Sequence, residues 1–252
     1  MNKRIAVLFA LAYLLTLLIT APASLLDWGL QQASKGHLLL ANTSGTVWSG
    51  SATPALRTQD GRLVTLPFLN WKIALPSFFT GKIQVHLLWD DQPPAAATEA
   101  IISFKQVELR HVTLQLPARV LDEASPMLKP VQFRGQLQIQ GEHLVFSKSG
   151  MEGAATIDWL QASSALTSIA PLGNYRLALN SAGDRIQIGL TTLSGILLLD
   201  GEGNWLTGRG LEFHGKAHAA AGNDDNLKEL LNHLGPEASP GVHSFNLTPQ
   251  KP

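Results

Sequence analysis

The sequence of 252 residues contains no cysteine. This absence excludes disulfide frameworks, thiolate metal sites and cysteine nucleophiles. The sequence also lacks an excess of charge of either sign, because 19 basic side chains balance 19 acidic ones. Without a basic field that could release counterions from a phosphate backbone, the composition argues against nucleic acid as a partner.

Common catalytic motifs are also absent. The sequence has no HExxH zinc motif, no GxSxG nucleophile elbow, no SxxK and no phosphate loop of the form GxxxxGK[ST]. No group of base, nucleophile and orienting residue can be assembled from it. We therefore predict that the protein is not an enzyme and binds no nucleotide or cofactor.

Histidines and paired carboxylates do not change this prediction. His214 and His218 have a metal-ligand spacing only on a helix, whereas the segment around them alternates as a strand does. Asp90-Asp91 and Asp224-Asp225 lie in turn-like sequences, where carboxylates commonly act as solvated caps. We predict no catalytic, cofactor-binding or metal-binding residue.

The six tryptophans allow a further alternative. Two rings on a common exposed face could stack against sugars or peptidoglycan, although most of the rings are expected to fill the core. The tryptophans are Trp28, Trp48, Trp71, Trp89, Trp159 and Trp205.

An uncharged run from Ile5 to Leu26 follows Lys3 and Arg4. As a helix, this run would be about 33 Å long and would just span the hydrocarbon of a bilayer. The two positive charges favour a cytoplasmic N-terminus, and Trp28 stands where an interfacial aromatic residue would hold the far end. The expected organisation is a cytoplasmic stub, a transmembrane signal anchor and a periplasmic domain, at residues 1–4, 5–26 and 33–252.

A cleaved signal peptide is the alternative interpretation of the N-terminus. The densest apolar stretch ends at Ile19, and Ala21, Pro22 and Ala23 supply small residues at a cleavage-type spacing. The sequence leaves open whether the segment anchors the chain or is removed after Ala23.

Beyond Gln32, short alternations of apolar and polar residues are separated by Gly, Asn, Asp and Pro. In Gly135–Gly141, for example, Leu137 and Ile139 alternate with three glutamines, Gln136, Gln138 and Gln140. This period of two is typical of half-buried strands. Similar runs predict further strands at 71–75, 82–88, 107–116, 175–179, 185–190 and 195–199. Many short strands indicate an antiparallel, mainly β domain.

Two parts of the sequence resemble each other. Residues 70–77 reappear with similar chemistry at 174–181, and each segment is followed by a similar strand. A second internal match has a constant offset of 60 residues. It pairs Gly135, Leu137, Ile139, Gly141 and Glu142 with Gly195, Leu197, Leu199, Gly201 and Glu202. We interpret these matches as duplication, with related halves at about 33–120 and 131–235. Duplicated strand units would extend a curved sheet that presents a long face.

Two segments depart from the β pattern. Leu227, Leu230, Leu231 and Leu234 have helical spacing, with Asp224 or Asp225 placed to cap the helix and Gly235-Pro236 placed to end it. We expect this leucine stripe to pack in the core. The stretch from Leu121 to Lys129 is either a short helix or a linker.

Several blocks of the sequence resemble the type II secretion system protein N family. The blocks are Gly45 to Gly50, Pro171 to Arg176, Thr191 to Gly195, Gly203 to Trp205 and Phe213 to Ala217. The similarity covers nearly the whole chain, but Phe133-Arg134-Gly135 departs from the expected pattern. The resemblance implies an inner-membrane component of a Gram-negative machine that exports folded proteins from the periplasm across the outer membrane. It also implies other type II secretion envelope subunits as partners, and it brings no catalytic residues.

The expected function is therefore a non-enzymatic accessory or structural role in type II secretion, exerted by contact through the sheet. The alternative is periplasmic lipid or glycolipid handling, because an extended apolar groove of a β-sheet can shield an acyl chain. The second face of the sheet distinguishes these functions: lipid carriage needs a continuous apolar face, whereas a scaffold needs a polar one.

Overall fold

The computed structural model describes residues 3–58, 61–74, 81–90, 97–124, 130–206 and 208–248. The chain divides into two compact units, Met1–Ser103 and Phe104–Pro252. Each unit is built mainly from antiparallel strands, which confirms the predicted β class. The division into units does not test the predicted repeat halves, which concern duplication and remain a prediction.

Unit 1 combines two N-terminal helices with a sheet. Its helices are α1 (Lys3–Ile19) and α2 (Ser24–Ala33). Its strands are β1 (Leu38–Gly45), β2 (Ser49–Arg57), β3 (Leu63–Thr65), β4 (Leu69–Ala74), β5 (Ile83–Trp89) and β6 (Thr98–Ile102). The strand order is β1-β2-β4-β5-β6, and β3 pairs with the second half of β2.

The predicted helix over 5–26 is wrong in its last turns, because α1 ends at Ile19 and α2 begins at Ser24. Pro22 has no backbone N–H and disfavours the helical conformation of the residue before it, so it interrupts the helix. Within the described part of the chain, no helix has both the length and the apolar character needed to cross a membrane.

Unit 2 is a longer sheet with two short helices. Its strands are β7 (Gln106–Pro117), β8 (Arg134–Ser147), β9 (Gly150–Ser163), β10 (Gly173–Gly183), β11 (Arg185–Gly195), β12 (Leu197–Leu206), β13 (Gly210–Ala219), β14 (Glu237–Ser239) and β15 (Val242–Leu247). The strands follow one another as antiparallel neighbours from β7 to β13, and β15 then lies between β13 and β14. The helices are α3 (Val120–Ala124) and α4 (Asp224–Leu234).

The seven predicted strand segments all fall on strands. They lie within or across the ends of β4, β5, β7, β8, β10, β11 and β12. Leu75, at the end of one prediction, lies outside the described residues. The segment 121–129 begins as helix α3, and its residues 125–129 also lie outside the described residues.

Residues 75–77 of the first self-comparison segment lie outside the described residues. The rest of it and the second segment both form strands with an antiparallel successor, β4 with β5 and β10 with β11. Each places a buried aromatic residue near its start. Trp71 is 6% exposed and donates from Nε1 to the carbonyl oxygen of Val47, while Tyr175 is 1% exposed and donates from its hydroxyl to the carbonyl oxygen of Leu197.

Helix α4 closes the hydrophobic core at one end of unit 2. Leu227, Leu230 and Leu231 are buried in one cluster with Leu172 and Leu197, which confirms that the leucine stripe packs in the core. The N-cap is Asn223 and not either aspartate, so the predicted cap is wrong by one or two residues. The helix ends at Leu234, as predicted from Gly235, where a Cβ would overlap the carbonyl oxygen of Ser244.

Candidate interaction surfaces

Strand register in unit 2 separates the side chains onto two faces. Residues paired directly across neighbouring antiparallel strands lie on the same face, and consecutive residues of a strand lie on opposite faces. One row of paired residues consists of Gln138, Asp158, Arg176, Thr191, Asp200, Lys216 and Ser244. We call the face that carries this row the polar face of unit 2.

An ion pair lies near the middle of the polar face. Arg176 donates to Asp158 through Nε at 2.7 Å and through a terminal nitrogen at 2.6 Å. The hydrogen bonds and charge of the Asp158 carboxylate hold the pKa of the Arg176 guanidinium above its ordinary value. Asp158 is only 8% exposed, so this two-point contact satisfies a carboxylate that has lost most of its water.

A groove of about 560 Å³ lies beside this ion pair on the polar face. Its walls carry mostly polar side chains, and its floor includes glycines of the neighbouring strands. The wall residues include Thr191, Asp200, Glu202, His214, Lys216 and Asn246. A second concavity, of about 520 Å³, shares Glu202 and His214 with it. Together they offer carboxylate, amide, imidazole and ammonium groups to a polar partner.

The structure places the candidate metal histidines on a strand. His214 and His218 both belong to β13, which confirms that the residues around them form a strand. His214 Nδ1 lies 2.9 Å from Oδ1 of Asn246 on the neighbouring β15. Among the described residues, no group of three or more potential ligands could hold a metal ion.

The paired carboxylates lie where the sequence places them, Asp90 in a turn after β5 and Asp224-Asp225 at the start of α4. The backbone N–H of Asp90 donates to the carbonyl oxygen of Phe68, and the side chain of Asp90 has no partner in the described contacts. Asp91 lies outside the described residues. Asp225 lies in the first turn of α4, where negative charge suits the positive end of the helix dipole.

A smaller charged cluster joins β7 and β8. Glu108 accepts hydrogen bonds from Nε of Arg110 at 2.8 Å and from a terminal nitrogen of the same guanidinium at 2.6 Å. His143 Nε2 lies 2.8 Å from the same carboxylate oxygen. The Arg110 hydrogen bonds, followed by the contact with His143, lower the pKa of Glu108 below its ordinary value. Sequence patterns gave no sign of this cluster, because His143 is 35 residues from Glu108.

The opposite face of unit 2 is apolar, and we call it the apolar face. One row of paired residues on it consists of Leu114, Ile139, Ile157, Leu177 and Leu190. All five side chains are half-buried. Two glycines of β12, Gly201 and Gly203, leave room on this face for the ring of Phe213. The glutamines at 136, 138 and 140 therefore describe only one of the two faces.

Three of the six tryptophans bind backbone groups, and one of these three, Trp71, is also buried. Trp71, Trp48 and Trp159 donate from Nε1 to carbonyl oxygens. The exposed rings among the described residues are Trp28 in unit 1, at 65% exposure, and Trp205 in unit 2, at 51%. Neither unit by itself has two exposed tryptophans in its described part, so neither has the pair that sugar stacking requires.

The segment between α1 and β1 covers the outer edge of β1. Val47 donates to the carbonyl oxygen of Ala21 at 2.9 Å, and Ala23 donates to the carbonyl oxygen of Gly45 at 3.1 Å. Farther along the strand, the backbone N–H of Leu40 donates to Asp27 at 2.7 Å. An uncovered edge strand is a template for unwanted pairing, and here the N-terminal segment occupies that edge.

Comparison with known proteins gives a consistent assignment. The family model of type II secretion system protein N matches residues 37–246. The type II secretion system protein N of Klebsiella pneumoniae is 29% identical over 205 residues, which cover 79% of this chain and 76% of that protein. No solved structure matches significantly. Since the family model covers most of the sequence, from just before β1 to within β15, the chain belongs to the type II secretion system protein N family.

Proposed function

We propose that this protein is a non-enzymatic accessory component of the type II secretion system, tethered to the inner membrane by α1, and that it binds other envelope subunits of the machine through the polar face of unit 2. Family membership supports a role in type II secretion. The observation that carries the contact hypothesis is the open groove on that face, lined by charged and amide side chains. Charged rims of this kind steer partners and give specificity.

Tethering is supported by the character of α1. Its sequence is apolar on all sides, and eleven of its large hydrophobic side chains are between 46% and 74% exposed. Such a surface is stable in lipid and unfavourable in water. Arg4 before the apolar residues favours a cytoplasmic N-terminus, which would leave the strands of both units in the periplasm.

A binding role is also supported by the chemistry of the groove. Its carboxylates, Asp200 and Glu202, stand on a sheet beside Lys216 and His214, but no nucleophilic side chain is hydrogen-bonded to a base there in the described contacts. Without such a pair, the groove has the features of a recognition surface and not those of an acyl-transfer site.

The test exchanges charges in the groove without altering the net charge of the protein. The double variant Glu202→Lys, Lys216→Glu is introduced into a secretion-competent strain that lacks the native gene. Proteins crosslinked in the envelope are then identified, and exported enzymes are assayed in the medium. We expect a loss of crosslinked secretion subunits and a several-fold fall in export.

The matched control is Lys228→Glu, Glu229→Lys, because both residues are exposed on α4. This variant makes the same exchange away from the groove and should crosslink and secrete like wild type. If circular dichroism shows that the groove variant is folded, and it crosslinks to secretion subunits and exports enzymes like wild type, the proposed contact is wrong.

Lipid handling is a second candidate, favoured by the half-buried leucine and isoleucine row of the apolar face. A lipid carrier should release phospholipid or glycolipid when the purified chain is extracted with organic solvent. The variant Leu177→Gln should then reduce the recovered lipid several-fold, because a polar side chain interrupts the row. If no lipid is recovered above that found with an unrelated membrane protein, this candidate is excluded.

A further inference from the structure

Helix α2 has its charged side chain on the inner side and apolar side chains on the outer side. Asp27, its only charged residue, faces β1, where it accepts hydrogen bonds from the backbone of Leu40 and from Gln31. Leu25 and Trp28 lie about 160° and about 100° around the helix axis from Asp27, and they are 52% and 65% exposed. The half-buried Leu26 and Leu30 lie on the inner side with Asp27, so α2 is apolar on its outer side as well, whereas a surface helix in water normally has a polar outer side.

The outer stripe of α2 contains no charge. With 3.6 residues per turn, Leu25, Trp28 and Gln32 lie on one side of the helix, and Asp27 lies about 100° to about 160° away from them around the axis. The inner face of α2 consists of Asp27, which accepts a hydrogen bond from the edge of β1, and of the half-buried Leu26 and Leu30 beside it. The exposed Leu25 and Trp28 do not contribute to this inner face.

The outer stripe lies close in the chain to the end of α1. The four residues between Ile19 and Ser24 turn the chain and are bonded to the turn between β1 and β2. That turn also contributes Trp48, whose Nε1 donates to the carbonyl oxygen of Leu18 at 2.7 Å. The end of the apolar helix is therefore fixed to unit 1 beside α2.

We infer that α2 is an interfacial helix, whose Leu25 and Trp28 insert into the headgroup region of the lipid bilayer that holds α1. The inference rests on the proposed tethering by α1. Tryptophan and leucine on the apolar side of a surface helix are the residues that favour this layer, where a tryptophan ring can bury its body and keep its N–H in contact with water. Lys35, exposed just after α2, stands where an ammonium group can meet lipid phosphates.

The size of the stripe favours lipid over a protein partner. Helix α2 has ten residues and is about 15 Å long, and only two large apolar side chains point outward. A stable protein interface buries about 800 Å² on each partner, far more than two side chains supply. Shallow insertion beside a helix already in lipid needs no such area.

The absence of cysteine gives a direct test. Three single-cysteine variants of the full chain, Leu25→Cys, Leu11→Cys and Thr65→Cys, are labelled with an environment-sensitive fluorophore. They are reconstituted into vesicles of phosphatidylethanolamine and phosphatidylglycerol that contain a quencher either near the headgroups or near the bilayer centre. Leu11 lies in the middle of α1, and Thr65 is an exposed residue of β3 that serves as the control outside lipid.

We expect the label at position 25 to be quenched several-fold more by the shallow quencher than by the deep one. The label at position 11 should show the opposite order, and the label at position 65 neither effect. If position 11 is quenched but position 25 behaves like position 65, the interfacial helix is wrong and the tethering stands. If position 11 is not quenched, the tethering fails and the inference fails with it.

Discussion

At the scale of single residues, Tyr175 shows how an aromatic side chain ties strands of unit 2 together. Its ring is 1% exposed and lies 5.7 Å from the ring of Trp159. Its hydroxyl reaches the backbone of Leu197, 22 residues away, at 2.9 Å. Burial raises the pKa of Tyr175 above its ordinary value. Both the hydrogen bond and the pKa shift can be measured.

The first prediction concerns Tyr175→Phe. Loss of this hydrogen bond should reduce the free energy of unfolding by about 1 kcal/mol, as measured by urea denaturation of the full chain in mild detergent. Tyr13→Phe is the control, because Tyr13 is 68% exposed on α1 and its substitution should leave the urea midpoint unchanged. Equal midpoints for wild type and Tyr175→Phe would contradict the assigned hydrogen bond.

The raised pKa of Tyr175 also determines in which direction the stability of the fold changes with pH. In the unfolded chain the phenol ionises near pH 10, whereas the folded state keeps it protonated to higher pH. The contribution of Tyr175 to stability is therefore fully present below about pH 10 and is lost as the pH rises towards the folded pKa. The difference in unfolding midpoint between wild type and Tyr175→Phe should shrink over that range.

The second prediction concerns Glu108. Because its pKa is lowered in the folded state, its contribution to stability is present above the unfolded value of about 4.3 and is lost as the pH falls through the lower folded value. Glu108→Gln should flatten the fall of the melting temperature below about pH 4.3. Arg110→Gln should also flatten it, since the guanidinium supplies the largest part of the shift. If the melting temperatures of both variants fall with decreasing pH as steeply as that of wild type, this account is wrong.

At the scale of elements, the sequence predicted the strands better than the ends of the helices. Alternation in Gly135–Gly141 identified part of β8 because one face of that strand packs and the other meets water. Pro22 was interpreted within a cleavage-type spacing, yet its main effect is to end the helical run that begins at α1. Asn223 was missed as the N-cap because the two aspartates that follow it are equally common at that position, and its side chain makes no capping hydrogen bond that would distinguish it.

The polar groove could not be predicted from the sequence. Its residues come from β11, β12, β13 and β15, and only the register places Asp200 beside Lys216 and Glu202 beside His214. A one-residue change of register would move all of these side chains to the other face. Alternation along a strand shows that a polar face exists, whereas the identity of cross-strand neighbours depends on tertiary pairing.

The third prediction concerns α4. Leu227 is fully buried in its cluster, so Leu227→Ala should lower the free energy of unfolding by about 2–5 kcal/mol through lost contacts and a cavity. Leu193→Ala is the matched control, because Leu193 is 46% exposed on β11 and its change should cost less than about 0.5 kcal/mol. The free energies of unfolding of the two variants are measured by urea denaturation, with tryptophan fluorescence as the signal. Similar small losses in both variants would show that α4 does not complete the core.

At the scale of the whole molecule, the N-terminal segment connects the proposed membrane tether to the edge of the sheet in unit 1. The carbonyl oxygen of Ala21 and the N–H of Ala23 are both bonded to residues around the turn after β1. Ala23 itself is 2% exposed. A protease that cleaves after Ala23 needs this backbone extended and accessible, and here it is buried and bonded.

The fourth prediction follows from this contrast between the two interpretations of the N-terminus. Protein purified from the envelope should have the intact mass of a chain that retains α1, and not that of a chain beginning at Ser24. As a control, a short glycine-serine insertion after Ala23 should loosen the segment from the turn after β1 and make the same alanines accessible to signal peptidase. Cleavage of this variant alone would show that the fold protects a competent site. Cleavage of the wild type at Ala23 would mean that the edge of β1 closes without α1, and it would remove the basis for tethering through that helix.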